Sequence, residues 1–239
     1  MLPKESTIYA VCIPGKTVRY EAKSKIIPIM GNSCALTKEQ RENLRPKGYV
    51  FDDRGSQFSK LNPYWGELTC IDWIANNATA NNIGNAQYRR FWVEPSEKNW
   101  YQDDTLYFPH AGYFSCSLEQ QFYGGHKKFD APKITREMAA TGNWTFTPNE
   151  IEKLWEQNSF IGCNMARGPK ELYQKFVKLL FDCLMPIWEI HKEHFLTIEG
   201  YDKRALAYIA ERLITGLVLK REKFFPGVKI ATAPISFIR

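Results

Sequence analysis

The spacing of apolar and polar positions divides the chain into alternating strands and helices. The predicted strands cover residues 7–13, 25–29, 83–92, 106–108 and 160–166. A stretch rich in charge and glycine, residues 43–61, predicts a loop. Such alternation is typical of an α/β protein whose mixed sheet carries helices on its faces and binds ligands at the carboxyl ends of its strands.

The first predicted helix starts at Asn62, which can cap it, with Pro63 at its first position. Its buried stripe consists of Tyr64, Leu68, Ile71 and Ala75. Glu67 falls on the same stripe, and a buried carboxylate needs a partner because burying it alone costs too much free energy. The predicted partner is Arg89 or Arg90.

Two further helices are predicted over residues 169–190 and 203–220. Pro186 should bend or end the first of them, because a proline ring clashes with the carbonyl four residues earlier. The second buries Leu206, Ile209, Ala210, Leu213 and Leu217 and places Arg204, Tyr208 and Glu211 on the opposite face. A solvated salt-bridge face and a binding site explain that face equally well.

Composition sets broad limits on these elements. A chain of 239 residues that is 44% hydrophobic fits one large domain better than two small ones. Six scattered cysteines without a Cys-x-x-Cys pair argue against a zinc site and against a dense disulfide framework. No apolar leader follows Met1 and no run approaches the roughly 20 residues that span a bilayer, so we expect a cytoplasmic protein.

Charge and one motif predict the class of ligand. The net charge of +6 favours anions: nucleotide sugars, phosphate headgroups or nucleic acid. Tyr88-Arg89-Arg90-Phe91 places two guanidinium groups, whose fixed forks suit a diphosphate, near the end of a predicted strand. The alternative is an ordinary strand whose arginines reach water or pair with carboxylates.

Motifs along nearly the whole chain carry a family resemblance. They are Asn62-Pro63-Tyr64-Trp65-Gly66-Glu67-Leu68-Thr69, Ile83-Gly84, Tyr88-Arg89-Arg90-Phe91, Gln121 to His126, Asn164-Met165, and Arg204 to Glu211-Arg212. This pattern resembles the bacterial capsular-polysaccharide and lipopolysaccharide glycosyltransferase family long known as a domain of unknown function. The resemblance implies a single GT-A-like domain over residues 1–239, with residues 1–95 binding the nucleotide sugar and residues 96–239 on the acceptor side.

The resemblance also implies roles for individual residues. The expected nucleotide-sugar site comprises Val11, Asp52, Asp53, Asn62, Glu67, Gln87, Tyr88, Arg89 and Arg90. The expected acceptor site comprises Asn164, Met165 and Arg204. Sugar transfer needs a base for the acceptor hydroxyl, and the candidates are His126, Asp130 and Glu211. A UDP-sugar is the first candidate donor, and the acceptor would be a saccharide or a lipid-linked glycan.

No metal or other cofactor is predicted. Metal-dependent sugar transferases of this fold often hold Mn or Mg through Asp-x-Asp, and the comparable position here reads Gln87-Tyr88-Arg89. Arginines there would repel a divalent cation, so Mn and Mg are disfavoured and the arginines should neutralise the leaving diphosphate. The pairs Asp52-Asp53 and Asp103-Asp104 could still recruit a metal, although adjacent aspartates more often cap turns.

Three further hypotheses concern partners. The segment 220–226, with basic residues beside Phe224 and Phe225, suggests peripheral contact with the inner face of a membrane. Where the family has a His-Lys pair and a histidine, this chain has Cys12-Ile13 and Gln87, which leaves open a non-catalytic protein that binds a sugar nucleotide. A nucleic-acid-binding protein is the rival from another class, although no RNA-binding signature occurs and nucleic acid is not an expected partner.

Overall fold

The computed structural model describes residues 6–16, 26–93 and 104–238 of the chain. The strands in this part are β1 (Ser6–Cys12), β2 (Ile26–Met30), β3 (Val50–Phe51), β4 (Asn82–Gln87), β5 (Arg90–Trp92), β6 (Thr105–Pro109), β7 (Gly112–Tyr113), β8 (Ser159–Phe160), β9 (Arg167–Pro169), β10 (Lys229–Ala233) and β11 (Ile235–Phe237). The α-helices are α1 (Lys38–Leu44), α2 (Asn62–Trp65), α3 (Leu68–Asn77), α4 (Leu118–Gly125), α5 (Ala131–Ala140), α6 (Pro148–Glu156), α7 (Lys170–Thr197), α8 (Ala205–Leu219) and α9 (Arg221–Phe224). Lys25 and Asp103, which belong to a predicted strand and an acidic pair above, lie outside the described residues.

A mixed sheet forms the centre of the molecule. Its strand order is β10-β6-β9-β4-β1-β2-β3, and β5 and β11 join it beside β4. Strands β4, β1, β2 and β3 are parallel to their neighbours in that series, and β9 is antiparallel to β4 and β6. The predicted α/β class, with a mostly parallel sheet flanked by helices, is confirmed. The carboxyl ends of these four parallel strands therefore share one edge of the sheet.

Both faces of the sheet are covered. Alternate residues of β1 enter different cores: Tyr9 and Val11 contact the large core that helices α3 to α8 complete, whereas Ile8 and Ala10 contact a smaller core around Phe91. Two-sided burial explains why β1 is a continuous apolar run in the sequence. None of the described helices combines the length and the apolar surface that crossing a bilayer requires.

Several predictions about the bounds of elements are wrong. The loop over 43–61 contains the two-residue strand β3, which is too short to show a periodicity. The strand over 160–166 is absent, because Cys163 and Asn164 have φ angles of 79° and 47° and this left-handed backbone excludes an extended chain. Helix α7 continues past Pro186 and past the predicted end at residue 190 to Thr197, so Pro186 does not end it.

The helix predicted from Asn62 is two helices, α2 and α3, separated at Gly66. Gly66 has φ 55°, a conformation that favours glycine, and it lies close to α8: a β-carbon there would be 3.2 Å from the Ala207 Cβ. Asn62 is not the predicted cap; its Nδ2 donates to the Gly66 carbonyl (2.7 Å) and to Thr69 Oγ1 (2.8 Å) instead. The break allows Glu67 to face the start of α8.

Strands β4 and β9 approach each other unusually closely at Gly84. A β-carbon on Gly84 would lie 2.3 Å from the Arg167 Cβ and 2.8 Å from the Ala166 carbonyl oxygen. No side chain fits at that position unless the two strands separate. β4 ends at the edge described above, and the antiparallel β9 begins close to it.

Replacing Gly84 with alanine should therefore lower the free energy of unfolding by about 3 kcal/mol, because overpacking forces the backbone to shift. Urea denaturation measures this loss. The matched control is Gly124→Ala in α4, where a β-carbon meets no heavy atom within 4 Å. The control should be as stable as the wild type or slightly more stable. Equal unfolding midpoints for the two variants would contradict the steric argument.

Candidate functional site

Six polar side chains converge where β4 ends, where the backbone at Cys163 and Asn164 turns, and where α8 begins. They are Glu67, Gln87, Arg90, Asn164, Arg204 and Glu211, and they are called the polar cluster below. A direct hydrogen bond, an ion pair or the shared neighbour Cys163 joins each member to at least one other. Four stretches of the chain contribute to the cluster, near residues 67, 87–90, 164 and 204–211, and all six of its residues belong to the set predicted from the sequence.

Gln87 joins the strand end to the left-handed segment. Its Nε2 donates to the Cys163 carbonyl (2.6 Å) and to Glu67 Oε1 (3.4 Å), and its Oε1 accepts a hydrogen bond from Arg90 Nη1. Since β4 ends at Gln87 and β5 begins at Arg90, the chain reverses at Tyr88 and Arg89. Arg89 therefore lies on the turn just beyond β4, and Arg90 is the first residue of β5, so the single strand predicted over residues 83–92 is interrupted.

Asn164 fixes Glu67. Only 1% of Asn164 is exposed, and its Nδ2 donates to Glu67 Oε1 (2.9 Å) and to the Ala207 carbonyl in α8 (2.9 Å). Asparagine tolerates the left-handed conformation better than most residues, because its short polar side chain can form local hydrogen bonds. This residue type thus serves both the backbone turn and the positioning of a carboxylate.

Glu67 does not pair with Arg89 or Arg90, so that prediction is wrong. Its Oε2 lies 3.6 Å from Arg204 Nη1, and its Oε1 accepts the hydrogen bonds from Asn164 and Gln87. The break at Gly66 explains the difference, because Glu67 is the residue just before α3 and does not continue the stripe of a longer helix. The Arg204 side chain is still 41% exposed, so its remaining donors can reach a ligand.

Glu211 is the second carboxylate of the polar cluster. Its Oε1 accepts a hydrogen bond from the Cys163 backbone N–H (2.7 Å), and its Oε2 lies 3.2 Å from Arg212 Nη1. Burial raises the pKa of Glu211, and the nearby Arg212 opposes that rise only in part. With 17% of its side chain exposed and Tyr208 buried, this face of α8 contacts protein, so the solvated-face alternative is wrong.

Cys163, between the two carboxylates, is not a reactive thiol in this environment. Burial raises its pKa to about 11, although the positive charge of Arg90 works in the other direction. The thiol therefore stays protonated near neutral pH and cannot act as a thiolate nucleophile.

Arg89 and Arg90 keep their charges available. The Arg90 guanidinium lies 5.3 Å from the centre of the Phe237 ring, and that of Arg89 lies 5.1 Å from the centre of the Tyr88 ring. Arg89 is exposed and Arg90 is half-buried. No carboxylate among the described residues lies within ion-pair distance of either arginine. Both cations therefore border the edge of the sheet without an anionic partner from that part of the protein.

The remaining nucleotide-sugar candidates lie at the same edge, but their polar groups form hydrogen bonds or ion pairs with other protein groups. Asp52 is fully buried and accepts five hydrogen bonds from Asn32 N, Ser33 N, Ser33 Oγ, Ser59 Oγ and Thr69 Oγ1. Asp53 pairs with Arg41. Asn62 joins Asp52 through Thr69, and the Val11 carbonyl accepts the Tyr88 N–H (2.9 Å). These contacts shape the backbone of the edge.

The other two candidate bases lie in a neighbouring aromatic region. His126 is 6% exposed, and its Nδ1 lies 2.8 Å from Asp202 Oδ1. Burial lowers the pKa of His126, although Asp202 acts to raise it, so the ring is neutral near pH 7 and donates its Nδ1 hydrogen. Asp130 caps α5, accepting hydrogen bonds from Lys133 N (3.0 Å) and the Tyr123 hydroxyl (2.8 Å). Neither residue contacts the polar cluster directly.

The structure also shows the surroundings of Met165 and of the segment that suggested membrane contact. Met165 is buried in the small apolar core, so its side chain packs with Ile8 and Trp92 at the back of the cluster. Phe224 and Phe225 are also buried, which removes the apolar half of the surface that suggested membrane contact.

Within the described residues, no three His, Cys, Asp or Glu side chains are grouped so that they could hold a metal ion.

Sequence reasoning missed the residue that holds the left-handed segment. The side chain of Asn85, in the middle of β4, donates to the Asn164 carbonyl (2.7 Å) and accepts from Ala166 N (3.0 Å) and the Tyr173 hydroxyl (3.1 Å). The signal available in the sequence was an asparagine in the middle of a predicted strand. Asp202, which orients His126, gave no comparable signal, because it lies in a short polar stretch between helices.

Comparisons with known proteins match this architecture. The profile of a family described as "Domain of unknown function (DUF4422)" matches residues 13–222. Among solved structures, an apo form of the bifunctional glycosyltransferase WbbM is similar, with a TM-score of 0.70 at 16% sequence identity over 98% of this chain. The chain spans 45% of that protein's length. No curated protein matches the sequence at a significant level.

The raised pKa of Glu211 predicts a pH dependence of stability. The folded protein holds this proton more tightly than the unfolded chain does, so stability should fall as the pH rises from the ordinary glutamate pKa to the raised one. Glu211→Gln removes this contribution. Its stability relative to the wild type should therefore increase with pH across that window.

Urea denaturation of both proteins between about pH 4 and about pH 8 measures the difference. The ¹³C shift of the Glu211 side-chain carboxyl reports its ionisation independently of unfolding. A stability difference that does not vary with pH, together with a carboxyl that titrates at the ordinary glutamate pKa, would contradict the assignment.

Proposed function

Because this chain belongs to the DUF4422 family and its described part has a glycosyltransferase fold, we propose that it transfers a sugar from a nucleotide-sugar donor to a saccharide or glycolipid acceptor. The observation that carries this proposal is the polar cluster, in which two carboxylates and two arginines meet beside the carboxyl ends of β1 and β4. In α/β sheets this edge is the usual place for ligands.

The donor diphosphate is assigned to Arg89 and Arg90. Arg89 lies on the turn that follows β4 and Arg90 begins β5 directly after it, and neither is neutralised by a described carboxylate. Negative charge grows on the leaving diphosphate as the bond to the sugar breaks, and fixed cations stabilise such charge without having to reorganise. The nucleotide belongs with residues 1–95, near Val11, Asp52, Asp53, Asn62 and Tyr88, with a UDP-sugar as the first candidate.

The acceptor is assigned to the other side of the polar cluster. Arg204 offers hydrogen bonds to sugar hydroxyls, whereas Asn164 is buried, uses both Nδ2 hydrogens on Glu67 and the Ala207 carbonyl, and acts by holding Glu67 in place. Glu211 is the preferred base because, of the three candidates, it alone belongs to the cluster. Its raised pKa means that it accepts a proton readily once it is ionised, so transfer by this route should increase with pH through that pKa. The His126 ring lies 4.3 Å from the Tyr208 ring, centre to centre, and Tyr208 in turn accepts a hydrogen bond from Arg204.

Arg90→Gln should reduce turnover by about 100-fold or more, because removing one group that stabilises transition-state charge typically has that effect. The measurement is release of nucleoside diphosphate from UDP, GDP, CMP and dTDP sugars, with and without saccharide acceptors. The matched control is Arg221→Gln, which removes an exposed arginine whose one ion pair within the described residues is with Glu222, and it should leave turnover unchanged.

Two outcomes of that assay would contradict the proposal. Equal turnover by Arg90→Gln and the wild type would remove the arginine from the mechanism. Binding of a sugar nucleotide without any turnover would favour the non-catalytic alternative, and retention on single-stranded nucleic acid that collapses with salt would favour the rival class.

Metal independence follows from the same assignment, because Gln87, Tyr88 and Arg89 offer no anionic oxygen at the position where Asp-x-Asp holds a cation. Turnover should therefore survive EDTA, and added Mn or Mg should change it less than about twofold. A transfer reaction that EDTA abolishes and Mn restores would overturn this part of the proposal.

A further inference from the structure

One exposed aromatic ring lies beside the polar cluster and has no role in the mechanism above. Tyr201 is 68% exposed and belongs to the short 3₁₀ helix, Gly200–Arg204, that leads into α8. Its ring lies nearly parallel to the buried His126 ring, with 9° between the planes and 5.9 Å between the centres. A ring that stacks on one side and remains this exposed has its other face open to solvent.

The ring is held firmly. Tyr208 lies 5.2 Å from Tyr201, centre to centre, and its hydroxyl donates to the Tyr201 carbonyl (3.3 Å). Beneath it, Asp202 fixes His126 by accepting its Nδ1 hydrogen (2.8 Å) and the Lys127 N–H (3.1 Å). A ligand that stacks on Tyr201 therefore loses little additional side-chain freedom, which favours binding.

Tyr201 also connects to the proposed active site. Arg204 Nη2 donates to the Tyr208 hydroxyl (3.0 Å), and Arg204 Nη1 lies 3.6 Å from Glu67. An open aromatic face thus lies next to a partly exposed guanidinium at the margin of the polar cluster. A pyranose has the matching surface: one face carries C–H groups, which the negative face of an aromatic ring attracts, and its rim carries hydroxyls that accept hydrogen bonds.

We infer that Tyr201 is a stacking platform for a pyranose unit of the acceptor, with Arg204 binding a hydroxyl at its rim. The inference rests on the proposed function in one respect, because that function makes the bound saccharide an acceptor. Binding of a pyranose to Tyr201 does not itself depend on the donor site. It also explains why His126 and Asp202 are buried together behind the ring. They support the back of the platform, and they are positioning residues in this respect.

The test uses the full chain and a panel of methyl pyranosides of glucose, galactose, mannose, N-acetylglucosamine and glucuronic acid. Binding is measured by NMR titration of the wild type, Tyr201→Ala, Tyr201→Phe and Tyr113→Ala. At least one pyranoside should bind the wild type, and Tyr201→Ala should weaken that binding about tenfold, as for other stacked ring systems. Tyr201→Phe keeps the ring and should bind within about twofold of the wild type.

Tyr113→Ala is the matched control, because Tyr113 is 76% exposed but lies on the separate β7–β8 ribbon. It should leave binding unchanged. Equal pyranoside binding by Tyr201→Ala and the wild type, or no binding by any member of the panel, overturns the inference. So does a dimer, seen by sedimentation, that only Tyr201→Ala abolishes, since the ring would then contact a second copy of this chain.

Titrating the same samples with UDP, GDP, CMP and dTDP separates this inference from the proposed function. Tyr201→Ala should bind these nucleotides as the wild type does. Pyranoside binding without any nucleotide binding or turnover would defeat the proposed function and leave the platform standing. Nucleotide turnover with unchanged pyranoside binding in Tyr201→Ala would defeat the platform alone.

Discussion

The arrangement of the site depends on the buried amide of Asn85. From the middle of β4 its two polar atoms bind the Asn164 carbonyl, the Ala166 N–H and the Tyr173 hydroxyl, which belong to the left-handed segment and to α7. Hydrogen bonds in a buried setting are directional and costly to leave unmade, so they define one geometry for the segment. With that segment fixed, Asn164 can hold Glu67 and the Cys163 N–H can hold Glu211.

The polar cluster combines charges of both signs at short range. Glu67 lies near enough to Glu211 to disfavour its ionisation, and Arg212 and Arg90 offset this in part. A cluster of this kind stabilises the fold less than apolar packing of the same volume would. Its presence in the interior of an otherwise apolar domain is more readily understood as a requirement of chemistry than as a source of stability.

The sequence was informative wherever periodicity or residue type alone decided the outcome. The central strand β1 and the helix α8 follow from local patterns, and the family motifs led to every residue of the polar cluster. What the sequence could not give was set by backbone conformation and by distant contacts. The left-handed angles at Cys163 and Asn164 ended a predicted strand, and the close approach of Gly66 to α8 divided a predicted helix. The partner of Glu67 changed for the same reason.

The pairing of β11 has a consequence for how the protein is made. β11 pairs with β5 in an antiparallel manner, and it carries the Phe237 ring against the guanidinium of Arg90. The diphosphate side of the proposed site thus includes residues separated by well over half of the described chain. A ribosome must release residues 235–237 before Arg90 can take its final position, so during synthesis this side of the site stays unfinished until that late segment has emerged.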